Sequence, residues 1–253
     1  MSKTRIIMHG CNGAMGQVIS RLAKTDEAVE IVAGIDITDK GIYTYPVFTA
    51  ACDCKAQADV IVDFSVAGAV DALMDFAVER KLPLVLCTTG LSEEQLARVR
   101  EISEVIPVLR SANMSLGVNT LFKLVAEAAK ILAGAGYDME IVEKHHNKKL
   151  DAPSGTALAI ADAINEAMDK QYYYKLDRSA KRERREPKEI GIQAVRGGTI
   201  VGEHEVFFCG EDEVVEIKHT AYSKGIFGKG ALAAAVYLAG QKPGLYTMAD
   251  VID

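Results

Sequence analysis

The feature that most constrains this chain is a repeated alternation, through its first half, of short apolar runs and amphipathic helical periods. Residues 5–9 (R-I-I-M-H), 29–35 (V-E-I-V-A-G-I), 60–64 (V-I-V-D-F), 83–87 (P-L-V-L-C) and 105–109 (V-I-P-V-L) read as buried strands. Between them, Met15, Val18, Ile19, Leu22 and Ala23 share one helical face, and residues 66–78 carry apolar side chains at helical spacing. Ser92, with Gln95 three residues later, is a capping box that starts another helix. A strand apolar at every position has both faces covered, as in a parallel sheet wound with helices on both sides. The expectation is an α/β chain with a Rossmann-like doubly wound parallel sheet.

The second half has a different rhythm. Residues 113–132 read as a long helix, 138–144 as a strand and 154–168 as a helix. The runs 190–195, 199–208 and 214–221 then read as consecutive antiparallel strands, joined at Gly197-Gly198 and at Gly210-Glu211-Asp212. This predicts an α+β domain with a mixed or antiparallel sheet. An Ala-rich helix at 230–239 returns to the character of the first domain. The division expected is 1–113 with 225–253 for a dinucleotide-binding domain, and 114–224 for a second domain.

Composition narrows the function. With 29 Lys+Arg against 35 Asp+Glu the formal charge is −6, so no nucleic-acid partner is expected and an anionic ligand must be drawn by a local positive cluster. No apolar run reaches the ~20 residues of a membrane span, and no signal or lipidation segment is visible. Five scattered cysteines, an odd number, fit reduced thiols and a cytoplasmic location.

Two segments carry chemistry. Gly10-Cys11-Asn12-Gly13-Ala14-Met15-Gly16 lies between a strand and a helix, with Asp36 twenty residues beyond Gly16 at the end of the next strand. Glycines let backbone approach a pyrophosphate, the helix N-terminus faces that charge, and a carboxylate accepts bonds from ribose hydroxyls. The alternative is a tight turn with no ligand. The second segment, Glu143-Lys144-His145-His146-Asn147-Lys148-Lys149, runs into Asp151-Ala152-Pro153-Ser154-Gly155-Thr156. Lysine, imidazole and a helix N-terminus together suit a small anion that also exchanges a proton; the alternative is a solvated basic loop. Adjacent histidines point apart and lack further ligands at metal spacing, so no metal is expected. Residues 178–188 read as a solvated mixed-charge loop, and Cys52-x-Cys54 as incidental. Met15, Met74, Met114, Met139 and Met168 read as packing residues.

In these segments the chain resembles the 4-hydroxy-tetrahydrodipicolinate reductase (dihydrodipicolinate reductase) family over nearly its whole length. The most specific match is E-K-H-H-N-K-K-L-D-A-P-S-G-T-A at 143–157. It is supported by G-x-x-G-x-M-G at 10–16, V-D-F-S at 62–65, C-T-T-G at 87–90, S-A-N-M-S-L-G-V-N at 111–119 and V-G-E-H at 201–204. The resemblance implies that a nicotinamide cofactor reduces a cyclic dicarboxylate with loss of water, in the diaminopimelate route to lysine. It implies His145 as catalytic acid/base and Lys149 as proton donor, with His146, Gly155, Thr156 and Lys224 on the substrate. It implies Gly10, Cys11, Asn12, Gly13, Ala14, Met15 and Asp36 around the cofactor phosphates and ribose. Cys87, Thr88, Thr89, Ser111, Ala112, Asn113 and Met114 then lie on the nicotinamide side. It also implies a homotetramer built through the second domain's sheet. Ala14, Cys87, Met114 and Lys224 depart from the residues common in the family. Asp36 followed by Ile37 predicts NADH over NADPH. Competing readings are another two-domain dehydrogenase, acting on aspartate or homoserine, and a non-catalytic NADH-binding redox sensor.

Overall fold

The structure, a computed structural model, describes residues 2–111, 113–179 and 181–252. These form two compact units: one runs to residue 116 and resumes at 224, and the other is Gly117–Ser223.

The first unit contains β1 (Thr4–His9), α1 (Ala14–Ala23), β2 (Val29–Ile35), β3 (Val47–Phe48), β4 (Val60–Asp63), α2 (Val70–Arg80), β5 (Leu84–Leu86), α3 (Glu93–Ser103) and β6 (Pro107–Arg110). The chain continues through α4 (Leu116–Leu132), β7 (Asp138–His145), α5 (Gly155–Ala167), β8 (Tyr173–Lys175), β9 (Glu189–Arg196), β10 (Gly202–Cys209) and β11 (Val214–Ala221). It closes with α6 (Gly225–Leu238), β12 (Gly244–Tyr246) and α7 (Met248–Ile252).

In the first unit seven parallel strands lie in the order β3-β2-β1-β4-β5-β6-β12. Alternate residues of each strand enter opposite cores. Ile6, Met8, Val60, Val62, Val85 and Leu109 pack with Ala231, Leu232, Ala235 and Leu238 of α6. Ile7, Ile61, Leu84, Leu86 and Val108 pack with α2 and α3 through Leu73, Met74, Phe76, Val99 and Ile102. This is why the strand interiors are apolar on both faces; each such side chain contributes roughly 1.5–3 kcal/mol on burial. Chain order reverses between β1 and β4, the point at which doubly wound sheets open a crevice at the carboxyl ends of their strands. The helix expected from 230 starts at Gly225, since burial against the sheet outweighs the poor helical propensity of its glycines.

In the second unit the order is β11-β10-β7-β9-β8. One expectation fails here. The runs near 190 and 202 are not neighbours: β7 lies between them, antiparallel to β10 and parallel to β9. The Gly197-Gly198 turn explains this. Gly197 N–H donates to His145 O (2.9 Å) and Asn147 N–H to Gly198 O (3.3 Å), so the connection crosses the end of β7 and closes no hairpin. The β10–β11 hairpin forms as expected, with Gly210 N–H donating to Glu213 O (2.8 Å). One sheet face packs Met139, Ile141, Ile190, Ile192, Val206 and Phe208 against Val125 of α4 and Ile160 and Ile164 of α5. The described residues of 178–188 form the expected exposed loop, with only Arg178 and Arg185 half-buried. Arg185 binds Asp138 Oδ1 (2.6 Å) and Glu140 Oε1 (3.1 Å), and Arg178 pairs with Glu140, which fastens the segment to β7.

Candidate active site

The Gly-rich loop leaves β1 at the strand-order reversal. Gly10 has φ of +78°, and a Cβ there would lie 2.4 Å from Phe64 O; a Cβ on Gly16 would lie 2.2 Å from Gly10 O. Both positions therefore exclude any larger residue. Asp36, at the end of β2, is already engaged: Oδ2 accepts from Asn12 N–H (2.7 Å) and Oδ1 from Ile37 N–H (2.8 Å). Asn12 Nδ2 donates to Thr38 O (2.7 Å), while its buried Oδ1 has no partner among the described residues. The loop is thus tied to the end of β2. A cleft of about 850 Å³ is lined by Gly10, Asn12, Gly13, Asp36, Ile37 and Lys40. Its bare glycines, its orphaned amide oxygen and its carboxylate fit a dinucleotide.

Other predicted cofactor residues fall elsewhere. The Cys11 side chain is fully buried in the core against Gly34, its thiol pushed up to about 11 by burial and by Asp36. Ala14 is exposed as the first residue of α1, and Met15 is half-buried. Cys87 is buried beyond β5, and burial followed by the Asp63 charge pushes its thiol well above the usual range. Thr88 is buried with Oγ1 accepting from Ser65 N–H (3.0 Å), while Thr89 is exposed. Ser111 and Asn113 shape the turn into α4, with Asn113 Oδ1 accepting from Ser115 N–H (2.9 Å). Met114 sends its side chain into the core. Ala112 lies outside the described residues. Lys224 is exposed at the N-cap of α6.

A buried pair in this unit escaped the sequence reading. His9 Nδ1 lies 2.6 Å from Asp63 Oδ1, tying the carboxyl ends of β1 and β4 together beside the cleft. The signal was present: the buried runs of β1 and β4 each end in a titratable residue.

The second unit builds its site by register. Successive layers across β9, β7, β10 and β11 are Ile192–Ile141–Val206–Ile217, then Ala194–Glu143–His204–His219; at the strand ends Arg196 pairs with His145, and Gly202 with Ala221. Apolar core thus gives way to a polar layer and then to the strand ends. Glu143, wholly buried, has every acceptor position filled. Oε1 accepts from Arg196 Nη2 (2.6 Å) and Ser154 N–H (2.9 Å), and Oε2 from Arg196 Nη1 (2.7 Å) and His145 Nδ1 (2.6 Å). Burial works to raise this carboxyl, but the bonds from Arg196, His145 and Ser154 outweigh it and hold the group below its usual range.

An ionised Glu143 assigns the proton on His145 to Nδ1 and leaves Nε2 as the exchanging atom. A Cβ on residue 202 would sit 3.1 Å from that Nε2, so glycine makes room for the ring. Ser154 caps α5, its Oγ accepting from Ala157 N–H (3.2 Å) and lying 3.0 Å from His204 Nε2. Burial, then the His145 charge, lowers His204 to about 4, so it is neutral. Lys149 Nζ sits 2.8 Å from Asp151 Oδ1. That bond is the main cause holding the Asp151 carboxyl low. His146 is half-buried, and its Nδ1 has no partner among the described residues. Gly155 and Thr156 open α5. The structure therefore brings His145, His146, Lys149, Gly155 and Thr156 into one segment around the end of β7, and adds Glu143, Arg196 and His204. Glu143 and His204 sat within recognised motifs and Arg196 outside them, and only the strand register shows that they meet. No group of side chains suited to a metal occurs among the described residues.

Comparison with known proteins agrees along the whole chain. The family model described as dihydrodipicolinate reductase, N-terminus, matches residues 4–114, and that described as dihydrodipicolinate reductase, C-terminus, matches 117–252. The chain is 55% identical over 248 residues to 4-hydroxy-tetrahydrodipicolinate reductase of Caldanaerobacter subterraneus subsp. tengcongensis, with 98% of each chain covered. It is 46% identical over 249 residues to the enzyme of that name from Clostridium novyi, again with 98% of each covered. Among solved structures, the dipicolinate-bound dihydrodipicolinate reductase from Paenisporosarcina sp. TG-14 has a TM-score of 0.82 at 25% identity, covering 97% of this chain and 98% of that one. The DAP dehydrogenase of C. glutamicum, at 14% identity and a TM-score of 0.56 over 100% and 96% of the two chains, shares the fold.

Proposed function

The chain belongs to the dihydrodipicolinate reductase family, and from that premise we propose that the residues around the end of β7 and the start of α5 carry the proton chemistry of its reaction. The reaction is the NAD(P)H-dependent reduction of 4-hydroxy-tetrahydrodipicolinate in the lysine and diaminopimelate pathway. Water leaves the ring, and a hydride and a proton add to it. A nicotinamide cofactor supplies the hydride when bound, and Gly10, Asn12, Gly13 and Asp36 would hold it. His145 exchanges a proton through Nε2, and Lys149 donates one. His146 and the N–H groups of Gly155 and Thr156 receive the two substrate carboxylates. Charge-assisted bonds of this kind are roughly twice as strong as neutral ones. The observation that carries the reading is the filled Glu143 carboxylate, which leaves His145 one free nitrogen. It is tested by NADH oxidation on freshly generated substrate from a coupled synthase. Loss of turnover in His145→Gln with NADH binding intact supports it; unchanged turnover removes His145 from catalysis.

We further propose NADH as the preferred cofactor. Asp36 would accept the adenosine ribose hydroxyls, and its carboxylate would repel a 2′-phosphate; the following residue, Ile37, is exposed and uncharged. Ala14 supplies no cation either. Lys40 also lines the cleft, so a kcat/KM for NADPH at or above that for NADH would assign it as a phosphate ligand. No helix among the described residues is long and apolar enough to cross a membrane; the proposed setting is a cytoplasmic homotetramer.

A further inference from the structure

We propose that Arg196 is a positioning residue that couples the two proton-handling side chains, His145 and Lys149, through one guanidinium. The inference rests on the roles given to those two residues above. Arg196 ends β9, opposite His145 in the parallel β7–β9 register. Its Nη1 and Nη2 each bond one oxygen of Glu143 (2.7 and 2.6 Å), and Nη2 also donates to Asp151 O (2.6 Å). The first two bonds fix the carboxylate that orients His145. The third fixes the backbone of Asp151, whose carboxylate holds Lys149 Nζ at 2.8 Å. The Arg196 side chain is 18% exposed. Its fork is therefore shielded from water on the segment between the two catalytic groups.

Lysine cannot reproduce this. An ammonium is a point charge, whereas the guanidinium presents donors in a fixed plane that reaches both carboxylate oxygens and a carbonyl at once. The arrangement also keeps the Glu143 charge from acting on His145 alone. Around His145 the charged and titratable groups are Glu143 on its own strand, Arg196 on β9 and His204 on β10, whose ring centroid lies 5.2 Å away. The Lys149–Asp151 pair follows in the next turn.

Arg196→Ala, Arg196→Lys and Glu143→Gln are tested beside His145→Gln in the coupled assay. Arg196→Ala should lose about 10–100-fold in kcat, the usual effect of removing a group that orients a reacting one, with KM for NADH unchanged. Arg196→Lys should recover little of it. Guanidinium chloride at millimolar concentration should raise kcat of Arg196→Ala but not of Arg196→Lys, where the cavity is filled. The double variant Arg196→Ala/Glu143→Gln should be no slower than the worse single variant, since both act on one unit. If Arg196→Ala does not fold, Arg196→Lys and Glu143→Gln still carry the kcat comparison. Wild-type kcat in Arg196→Lys, or a loss confined to KM for NADH, overturns the inference. If His145→Gln turns over normally, the underlying reading of the site fails instead.

Discussion

Lys149 and Asp151 illustrate how a charged group is kept ready without being committed. Their ion pair is at hydrogen-bond distance, but Asp151 is largely exposed, so the pair is weak and readily exchanged for a substrate carboxylate. Lys149→Ala should fold and bind NADH yet lose about 10²–10⁴-fold in kcat/KM, the usual range for a positioned proton donor. A value within threefold of wild type removes Lys149 from the chemistry. His204 supplies a stability prediction at the same scale. Its folded form titrates near 4 against an unfolded value of 6.5, so between those limits the unfolded chain binds more protons and acid favours unfolding. Lowering pH from about 6.5 to 4 should therefore cost up to about 3 kcal/mol through this residue. His204→Gln should flatten the decline in Tm across that window. An equally steep decline would assign the acid sensitivity to other groups.

At the scale of elements, the loop between β1 and α1 has no slack. Gly16→Ala places a methyl 2.2 Å from Gly10 O and 2.6 Å from Cys11 O, and overpacking against backbone costs about 1–3 kcal/mol or more. The variant should show a lowered Tm and a KM for NADH raised out of proportion to KM for substrate. An unchanged cofactor KM would mean the loop does not hold the phosphates. The parallel sheet was legible because each of its central strands feeds two cores and so declares itself by continuous apolarity. The capping box at Ser92 was legible too, since both of its bonds are local. The two-residue β3 and the three-residue β8 and β12 were not, because such short pairings depend on neighbours rather than on their own pattern. The order of the second sheet was hidden for a related reason: the Gly197-Gly198 turn looks like a hairpin until His145 O is seen to accept its N–H. Motif residues His145 and Lys149 were legible, whereas Arg196 joins them only through the β7–β9 register. His9 and Asp63 meet across the same kind of parallel pairing.

For the whole molecule, the remaining question is what the second sheet does with its outer face. Val125, Ile160 and Ile164 cover the inner face, while the outer carries a cross-strand lattice. Lys144 Nζ lies 2.8 Å from Glu205 Oε1, and Lys218 Nζ lies 2.5 Å from Glu205 Oε1 and 3.1 Å from Glu203 Oε2. β11 is an eight-residue edge strand with Val214 58% and Val215 37% exposed. A long edge with exposed valines invites pairing with another chain unless it is covered. The homotetramer proposed above would cover it if built through this sheet, where charges of alternating sign would let two copies meet without like-charge repulsion. Sedimentation equilibrium should accordingly return about four times the chain mass of 27.3 kDa. Lys218→Glu should break the assembly, because it sets a third carboxylate against Glu203 and Glu205, and like charges at such spacing repel. Far-UV circular dichroism separates this from unfolding: smaller species with retained secondary structure are expected. The substitution lies on the opposite sheet face from Glu143, His204 and His145, so any loss of kcat in a folded, dissociated Lys218→Glu protein would show that turnover depends on assembly. A Lys218→Glu protein that stays tetrameric would place the interface on another surface.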